Sequence, residues 1–487
     1  MNSRDIRARI AWIVGIVSAI LVVALMMIPP VLGVADSGDY ARVLVGAGIA
    51  PLDPNETYHD RYFGYAHSLY GYGGYQFGGY FSTHVLLVMI AGWIGRIVSS
   101  EHFDIRVLGA CYTALYALAV TLLIRSVPRA SSNGVTATVA LVLSVCVLFV
   151  FGDLGYVVYF QSFFGEPYAL IAMLLTVAAV LGLLTADKPC GAMFALFTIA
   201  ALALATSKLQ NAPLGFAFAA LAWRMLRLRD DRRWRKQVWT GVTALVVCSM
   251  LMIVVAPDRL KSTNLYQSIF YGVLKDTPHL SADMKELGIP EKYAVNAGTN
   301  YFQQDAAIPQ GDPTLHREVL EQRSHKDIAL YYARHPSRFV QKLKVAADNA
   351  VYIRPGYLGN YDRSEGKPWR ALSYTYSTWS SWKAEHLPRQ LAFFVSFYAL
   401  YYLLLAGMWL RTHSRRLRLG LETMAIVGIA GLFAVFVAII GDGEADMGKH
   451  LFMFNVCFDL MGVSVVTAIA YGLAKLVAYR RRGDYRP

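Results

Sequence analysis

The sequence is poor in charge for its length. Asp, Glu, Lys and Arg make up 16% of its 487 residues, whereas hydrophobic residues make up 56%. A soluble globular protein carries about a quarter charged residues. Several apolar runs also reach the roughly 20 residues that a helix needs to cross a bilayer. The composition therefore excludes an ordinary soluble domain and predicts an all-α polytopic membrane protein.

Cysteine is scarce as well, and none lies in the long polar segment 257–389. This placement excludes a disulfide framework and a cysteine metal cluster. No repeat of fixed period is present, which argues against a repeat array. The five cysteines fall within or at the edges of apolar runs: Cys111, Cys146, Cys190, Cys248 and Cys457.

The net charge of +13 comes from basic clusters that lie beside apolar runs, at 4–9, 224–236, 411–418 and 479–486. This pattern is typical of cytoplasmic loops of membrane proteins. It is not the basic surface of a nucleic-acid-binding domain, so we expect membrane lipids and no nucleic acid as partners.

Apolar runs and basic loops together predict the topology. The run 83–98 is short and carries Arg96, which favours a position along the membrane surface. Excluding it leaves about 10 transmembrane helices and places every basic cluster on the cytoplasmic side. The apolar runs are roughly 11–33, 83–98, 105–125, 134–151, 168–186, 190–206, 211–226, 238–256, 390–410, 421–441 and 450–478.

Three regions follow from this topology. An N-terminal transmembrane module covers 1–256 and contains a first outer loop, 34–104, with juxtamembrane helices. A soluble outer region, 257–389, lies between spans 7 and 8. The C-terminal transmembrane helices and a basic cytoplasmic tail cover 390–487. Within the outer region, the stretch "YYARHPSRFVQKLKVAADNAVYIRP" predicts an amphipathic helix that ends at Pro355.

Two carboxylates follow the first span directly. In "GVADSGDYAR", residues 33–42, Asp36 and Asp39 lie where the chain leaves the hydrocarbon. Carboxylates at membrane depth are costly and tend to mark functional sites. The alternative is that they only cap the next short helix.

Further charged and aromatic side chains lie on other outer loops at the same membrane level. Each has a simpler alternative: Glu166 can cap a helix, Lys208 can extend to the interface, and Lys449 can form a surface pair with Asp446. Cations, carboxylates and aromatic rings together suit a substrate with a phosphate, a sugar and a lipid tail. The candidate binding residues are Arg42, Asp153, Tyr159, Glu166, Lys208, Arg354, Tyr357, Glu444, Lys449 and His450.

This layout resembles the GT-C glycosyltransferases. The likeness lies in the acids after the first span, the juxtamembrane run, the short turn "TSKLQNAP" and the polar region after the seventh span. "FGDLGYVVYFQSFFGEP", "YLGNYDRSEGKP" and "GDGEADMGKHLFMFN" further resemble bacterial surface-glycan hexosyltransferases of the WsfD type.

The resemblance implies an enzyme of the bacterial cytoplasmic membrane with its active site on the outer face. It would move a sugar, taken to be a hexose, from a polyprenyl-phosphate donor to a glycan or lipid-linked acceptor, with inversion. Asp36 or Asp39 would be the general base, with Asp36 favoured because it comes first after the span. No cofactor is expected, since a divalent ion held by Asp36, Asp39 and Asp153 has no support from spacing.

Two other classes of function remain open. One is a transporter or flippase for lipid-linked glycans, which would need polar residues within the spans. The other is a non-catalytic membrane subunit, or a glycan polymerase or ligase, which would have a similar composition. An assay with a single-sugar lipid donor separates these classes.

Overall fold

The structure is a computed structural model that describes residues 3–76, 80–130 and 132–483. Eight of its helices are long and apolar enough to cross a membrane. This confirms the prediction of an all-α polytopic membrane protein. The eight candidate spans are Ile6–Met26, Ile105–Arg125, Asn133–Phe151, Glu166–Thr185, Arg232–Val254, Leu391–Arg411, Arg415–Asp442 and Phe452–Arg480.

Two of the predicted spans are shorter helices. They are Gly191–Ala205 and Leu214–Arg224, and the second continues as a 3₁₀ turn, Met225–Leu228. The pair packs between Glu166–Thr185 and Arg232–Val254. Because the two are consecutive, counting both or neither as spans leaves the chain termini on the same side.

The first loop contains short helices, as predicted. Thr83–Val98 has 16 residues and is capped by Ser82, whose Oγ accepts from His84 N at 3.1 Å. Its length sets it apart from the eight long helices, as it does the still shorter Gly191–Ala205, and its exclusion from the spans stays a prediction. Ala41–Ala47 packs against it, and Tyr58–Arg61 follows. A small sheet joins the strands Ile49–Ala50, Leu69–Tyr72 and Phe103–Asp104 in that order.

The polar segment 257–389 is largely helical. Its α-helices are Asp258–Ser268, Leu280–Glu286, Pro313–Leu315, His325–Arg334, Pro336–Asn349 and Thr378–His386. Its tighter or wider turns are the π-turns Ile269–Val273 and His316–Leu320 and the 3₁₀ turns Glu291–Asn296 and Arg363–Glu365.

The predicted single amphipathic helix before Pro355 is wrong. The structure has two helices there, His325–Arg334 and Pro336–Asn349. His335 between them has φ −117° and ψ 66°, outside the helical region. Proline has no N–H and disfavours a helical residue before it, so Pro336 starts a new helix. That helix ends at Asn349, well before Pro355.

A short strand joins the polar segment to the first loop. Asn360–Tyr361 pairs antiparallel with Leu32–Gly33, with Leu32 opposite Tyr361. The side-chain oxygen of the buried Asn360 accepts from Ala35 N at 3.0 Å. The polar segment therefore fixes the backbone immediately before Asp36.

The connections divide the bundle into two ends. The first loop, the turn 206–213, the polar segment and the loop 443–451 lie at one end, which we call the cavity end. The connections 225–231 and 412–414 lie at the opposite, basic end.

Candidate functional site

A cavity of about 1690 Å³ lies at the cavity end. The first loop, the turn 206–213, the polar segment and the loop 443–451 all contribute to its wall. Six of the sequence-predicted site residues line it: Asp39, Arg42, Lys208, Tyr357, Lys449 and His450.

Asp39 is held by two cations. Its Oδ2 lies 2.6 Å from Lys449 Nζ, and its Oδ1 lies 2.9 Å from an Arg42 nitrogen. Burial alone would raise the pKa of Asp39, but the charges of Lys449 and Arg42 outweigh it and hold the pKa well below its usual range. Asp39 is therefore a carboxylate that faces the cavity with its charge neutralised.

Asp36 has a different environment. Its Oδ1 accepts from Gly38 N at 2.7 Å and from Tyr40 N at 3.2 Å. Gly38 has φ 94°, which allows the loop to turn and bring Asp39 to the cavity. Asp36 is not among the cavity-lining residues, and burial raises its pKa to about 6. The geometry thus places Asp39, and not Asp36, in the wall of the cavity.

Lys449 is shared by two carboxylates. Its Nζ also lies 2.9 Å from Asp446 Oδ2, and the other oxygen of Asp446 accepts from Tyr357 Oη at 2.7 Å. The Lys449 side chain is only 7% exposed, so the pair with Asp446 is not the surface pair that the sequence left open. Asp446 has φ 44° and ψ 40°, and the short helix Met447–His450 begins directly after it.

Lys208 and His450 occupy another part of the wall. Lys208 forms an ion pair with Glu166, whose side chain is 3% exposed and lies behind the wall. His450 Nδ1 lies 3.1 Å from Gln210 Oε1, and its Nε2 lies 3.3 Å from Asp442 Oδ2. The turn 206–213 and the loop 443–451 are thereby connected across the cavity.

Besides Asp36 and Glu166, four more predicted site residues do not line the cavity. Tyr159 is fully buried among aromatic rings. Asp153 accepts from the backbone N–H groups of Gly155, at 2.7 Å, and Trp379, at 2.9 Å. The buried Arg354 donates to the carbonyl oxygen of Ser373 at 2.5 Å.

Glu444 is the fourth of these residues. Its two oxygens bind Lys275 and Lys342 of the polar segment, each at 2.6 Å. Asp153 and Glu444 therefore anchor the polar segment to other loops, and Arg354 makes a bond within that segment; none of the three lines the cavity.

A comparison with known protein families assigns the chain to one of them. The family model described as the YfdI N-terminal transmembrane domain matches residues 2–484. The chain belongs to the YfdI family. No curated protein matches the sequence, so the finer likeness to WsfD-type hexosyltransferases stays a prediction.

An apolar groove adjoins the cavity in this YfdI-family chain. It has a volume of about 390 Å³ and lies between Thr83–Val98, Gly191–Ala205 and Arg232–Val254. Leu202, Met252 and similar side chains line it almost entirely. Four residues line both spaces, so the groove and the cavity lie side by side: Tyr80, Leu209, Pro257 and Leu260.

Sequence reasoning missed several residues of the YfdI-family cavity. Phe63 and Arg370 line it, and both have φ 63°, a rare conformation for residues other than glycine. The Phe63 ring meets Tyr357 edge-on at 6.0 Å. No local pattern marks these residues, since the fold alone brings them to the cavity. Backbone strain of this kind is common at functional sites.

Within the residues that the structure describes, no group of three His, Cys, Asp or Glu side chains is arranged to hold a metal ion. Asp153, one member of the trio considered from the sequence, binds backbone N–H groups instead.

Proposed function

We propose that this protein is a membrane glycosyltransferase of the GT-C type, acting on the outer face of a bacterial cell membrane. It moves a sugar from a polyprenyl-phosphate donor to a glycan or lipid-linked acceptor. The observation that carries the proposal is Asp39, which lies between two cations in a cavity that adjoins an apolar groove. Membership in the YfdI family supports it.

The shape and charge of the site indicate how the donor binds. Its polyprenyl chain lies in the apolar groove, where Leu202 and Met252 replace lipid contacts. Its phosphate meets the cations of the cavity wall: Lys208 as a point charge and Arg42 with its planar fork. The positive-inside pattern supports a cytoplasmic position for the basic end and an outer position for this cavity.

Binding of the donor phosphate also makes Asp39 a stronger base. In the structure, Lys449 and Arg42 both pair with Asp39, and a carboxylate held this way is a weak base. A donor phosphate competes for the same cations. As they turn to the phosphate, the pKa of Asp39 rises towards its ordinary value, so the base becomes effective when the donor is present.

The transfer is a single displacement. The acceptor hydroxyl gives its proton to Asp39 while its oxygen forms a bond to the anomeric carbon. The bond from that carbon to the phosphate oxygen breaks on the opposite face, and its electron pair leaves with polyprenyl phosphate. The configuration inverts. The cations stabilise the charge that develops on the leaving phosphate, so no general acid is needed.

The direct test uses protein in phospholipid nanodiscs with a polyprenyl-phosphate hexose labelled in the sugar. We expect Asp39→Asn to lower transfer by about 10²–10⁴-fold, the usual contribution of a general base. Asp36→Asn is the matched control, because an amide oxygen can still accept the two loop hydrogen bonds. Wild-type transfer by both variants would contradict the proposal, and loss in Asp36→Asn alone would make Asp36 the base.

A further inference from the structure

One face of the helix Asp258–Ser268 runs along the cavity. Leu260, Thr263, Asn264 and Gln267 line the cavity, at the i, i+3, i+4 and i+7 spacing of a single helix face. The face is apolar at Leu260, which also lines the groove, and carries amides one to two turns later. The helix ends in the π-turn Ile269–Val273, a type of turn that is frequent at functional sites.

Gln267 has an unused hydrogen-bond acceptor at this wall. Its side chain is buried, with 6% of the residue exposed, and its Oε1 accepts no hydrogen bond in the described part of the chain. A buried amide oxygen without a donor is costly. Oε1 is closed to water in this arrangement, but Gln267 lines the cavity, so a rotation of its side chain brings the oxygen to a ligand that can supply that donor.

The surrounding wall carries uncharged amides and an aromatic ring beside the charged side chains of Arg259 and Asp442. Asn300 and Tyr301 lie beside the helix in the cavity wall. An amide donates and accepts hydrogen bonds, as a sugar hydroxyl does, and an aromatic ring offers an apolar face to the C–H side of a sugar. Six amide side chains line the cavity in total: Gln76, Gln210, Asn264, Gln267, Asn300 and Gln303.

We propose that Asn264, Gln267, Asn300 and Tyr301, together the amide wall, form a binding subsite for the hydroxyls of an uncharged saccharide. This inference rests on the proposed function, which offers two saccharides for the subsite: the hexose of the donor and the sugar of the acceptor. Gln267 contributes the buried acceptor that selects a hydroxyl group.

The kinetics of sugar transfer test the subsite and identify which substrate, donor or acceptor, supplies the saccharide. Gln267→Leu keeps most of the side-chain volume and removes the amide. We expect at least a fivefold rise in KM, roughly the loss of one hydrogen bond, for one substrate only. A rise for the donor assigns the wall to the donor hexose, and a rise for the acceptor assigns it to the acceptor. Gln322→Leu, at an exposed position outside the cavity, is the control. Unchanged KM for both substrates overturns the inference while leaving the proposed function intact.

An equilibrium measurement decides the case in which the wild type transfers no sugar. Saturation-transfer NMR on nanodiscs, with the methyl glycosides of glucose, galactose and mannose, reports binding without turnover. Binding by the wild type that weakens at least about fivefold in Gln267→Leu supports the subsite even though the proposed function has failed. Absence of that difference overturns it. If Gln267→Leu does not fold, Asn264→Leu, at a less buried position on the same face, replaces it in both tests.

Discussion

The Nζ of Lys449 lies 2.6 Å from Oδ2 of Asp39, although the two residues are 410 positions apart in the chain. The same ammonium group lies 2.9 Å from Asp446. Lys449 therefore links the first loop to the loop 443–451. In the proposed reaction it neutralises the base before the donor binds and the phosphate afterwards.

Lys449→Met tests both roles of this ammonium group. We expect kcat/KM to fall at least about 30-fold, which corresponds to the ~2 kcal/mol at the low end for removing one partner of a buried charge pair. Lys449→Arg should retain more activity because it keeps the charge. Lys292→Met is the control, since Lys292 forms an exposed pair with Glu318. Wild-type kcat/KM in Lys449→Met would remove the residue from the mechanism.

The pH dependence of kcat/KM distinguishes the two carboxylates, because this constant reports the free enzyme. Lys449 and Arg42 hold the pKa of Asp39 below its usual range, so a base at Asp39 stays ionised and the rate does not fall near pH 6. Burial raises the pKa of Asp36 to about 6, so a base at Asp36 would lose about tenfold per pH unit below that value.

We therefore expect no loss of rate near pH 6 in the wild type. Lys449→Met should move the acid limb to higher pH, because Asp39 loses a positive neighbour. If kcat/KM of the wild type falls below about pH 6, and this fall disappears in Asp36→Asn, the base is Asp36.

The pair of Lys208 and Glu166 calls for a double variant. Lys208→Ala leaves the carboxylate of Glu166 buried without its cation, and we expect a loss of about 3–5 kcal/mol of stability. Glu166→Gln combined with Lys208→Ala removes that charge and should restore most of the apparent Tm. Turnover should stay low in both, since the phosphate has lost Lys208. Wild-type turnover by the double variant would show that Lys208 serves only to neutralise Glu166.

A second buried ion pair should affect stability and not transfer. Lys383 and Asp459 are both fully buried, 2.6 Å apart, and Asp459 also accepts from Tyr156 Oη and Trp379 Nε1. Asp459→Asn should cost about 3–5 kcal/mol, measured as a lower apparent Tm. Since neither Lys383 nor Asp459 lines the cavity, the folded fraction should keep its kcat.

Glu321→Gln, which breaks an exposed pair with His316, is the control and should cost at most about 1 kcal/mol. A stable Asp459→Asn variant that has lost its kcat would contradict the assignment of this pair to stability.

The sequence was most informative where the signal is local. A span needs only a long apolar run, so the long helices were predictable from composition. Arg42, Lys208 and Lys449 were predictable as groups near one membrane level, because topology alone places them there.

The choice between Asp36 and Asp39 was not predictable, since the turn at Gly38 decides which carboxylate faces the cavity. Asp153 and Glu444 looked equivalent to the cavity residues in sequence. Their distant partners, Trp379 and Lys275, become visible only in the fold. Gln267 carried no local signal at all.

During biosynthesis the two halves of this site emerge from the ribosome far apart in time. The ladder between Leu32–Gly33 and Asn360–Tyr361 has to wait for the polar segment, since 325 residues separate Ala35 from Asn360. Lys449 arrives later still. A partly translated chain thus has an unpaired first loop and no counter-ion from Lys449 for Asp39. The cavity wall is complete only once the loop 443–451 has been made, so we expect unfinished chains in the membrane to transfer no lipid-linked sugar.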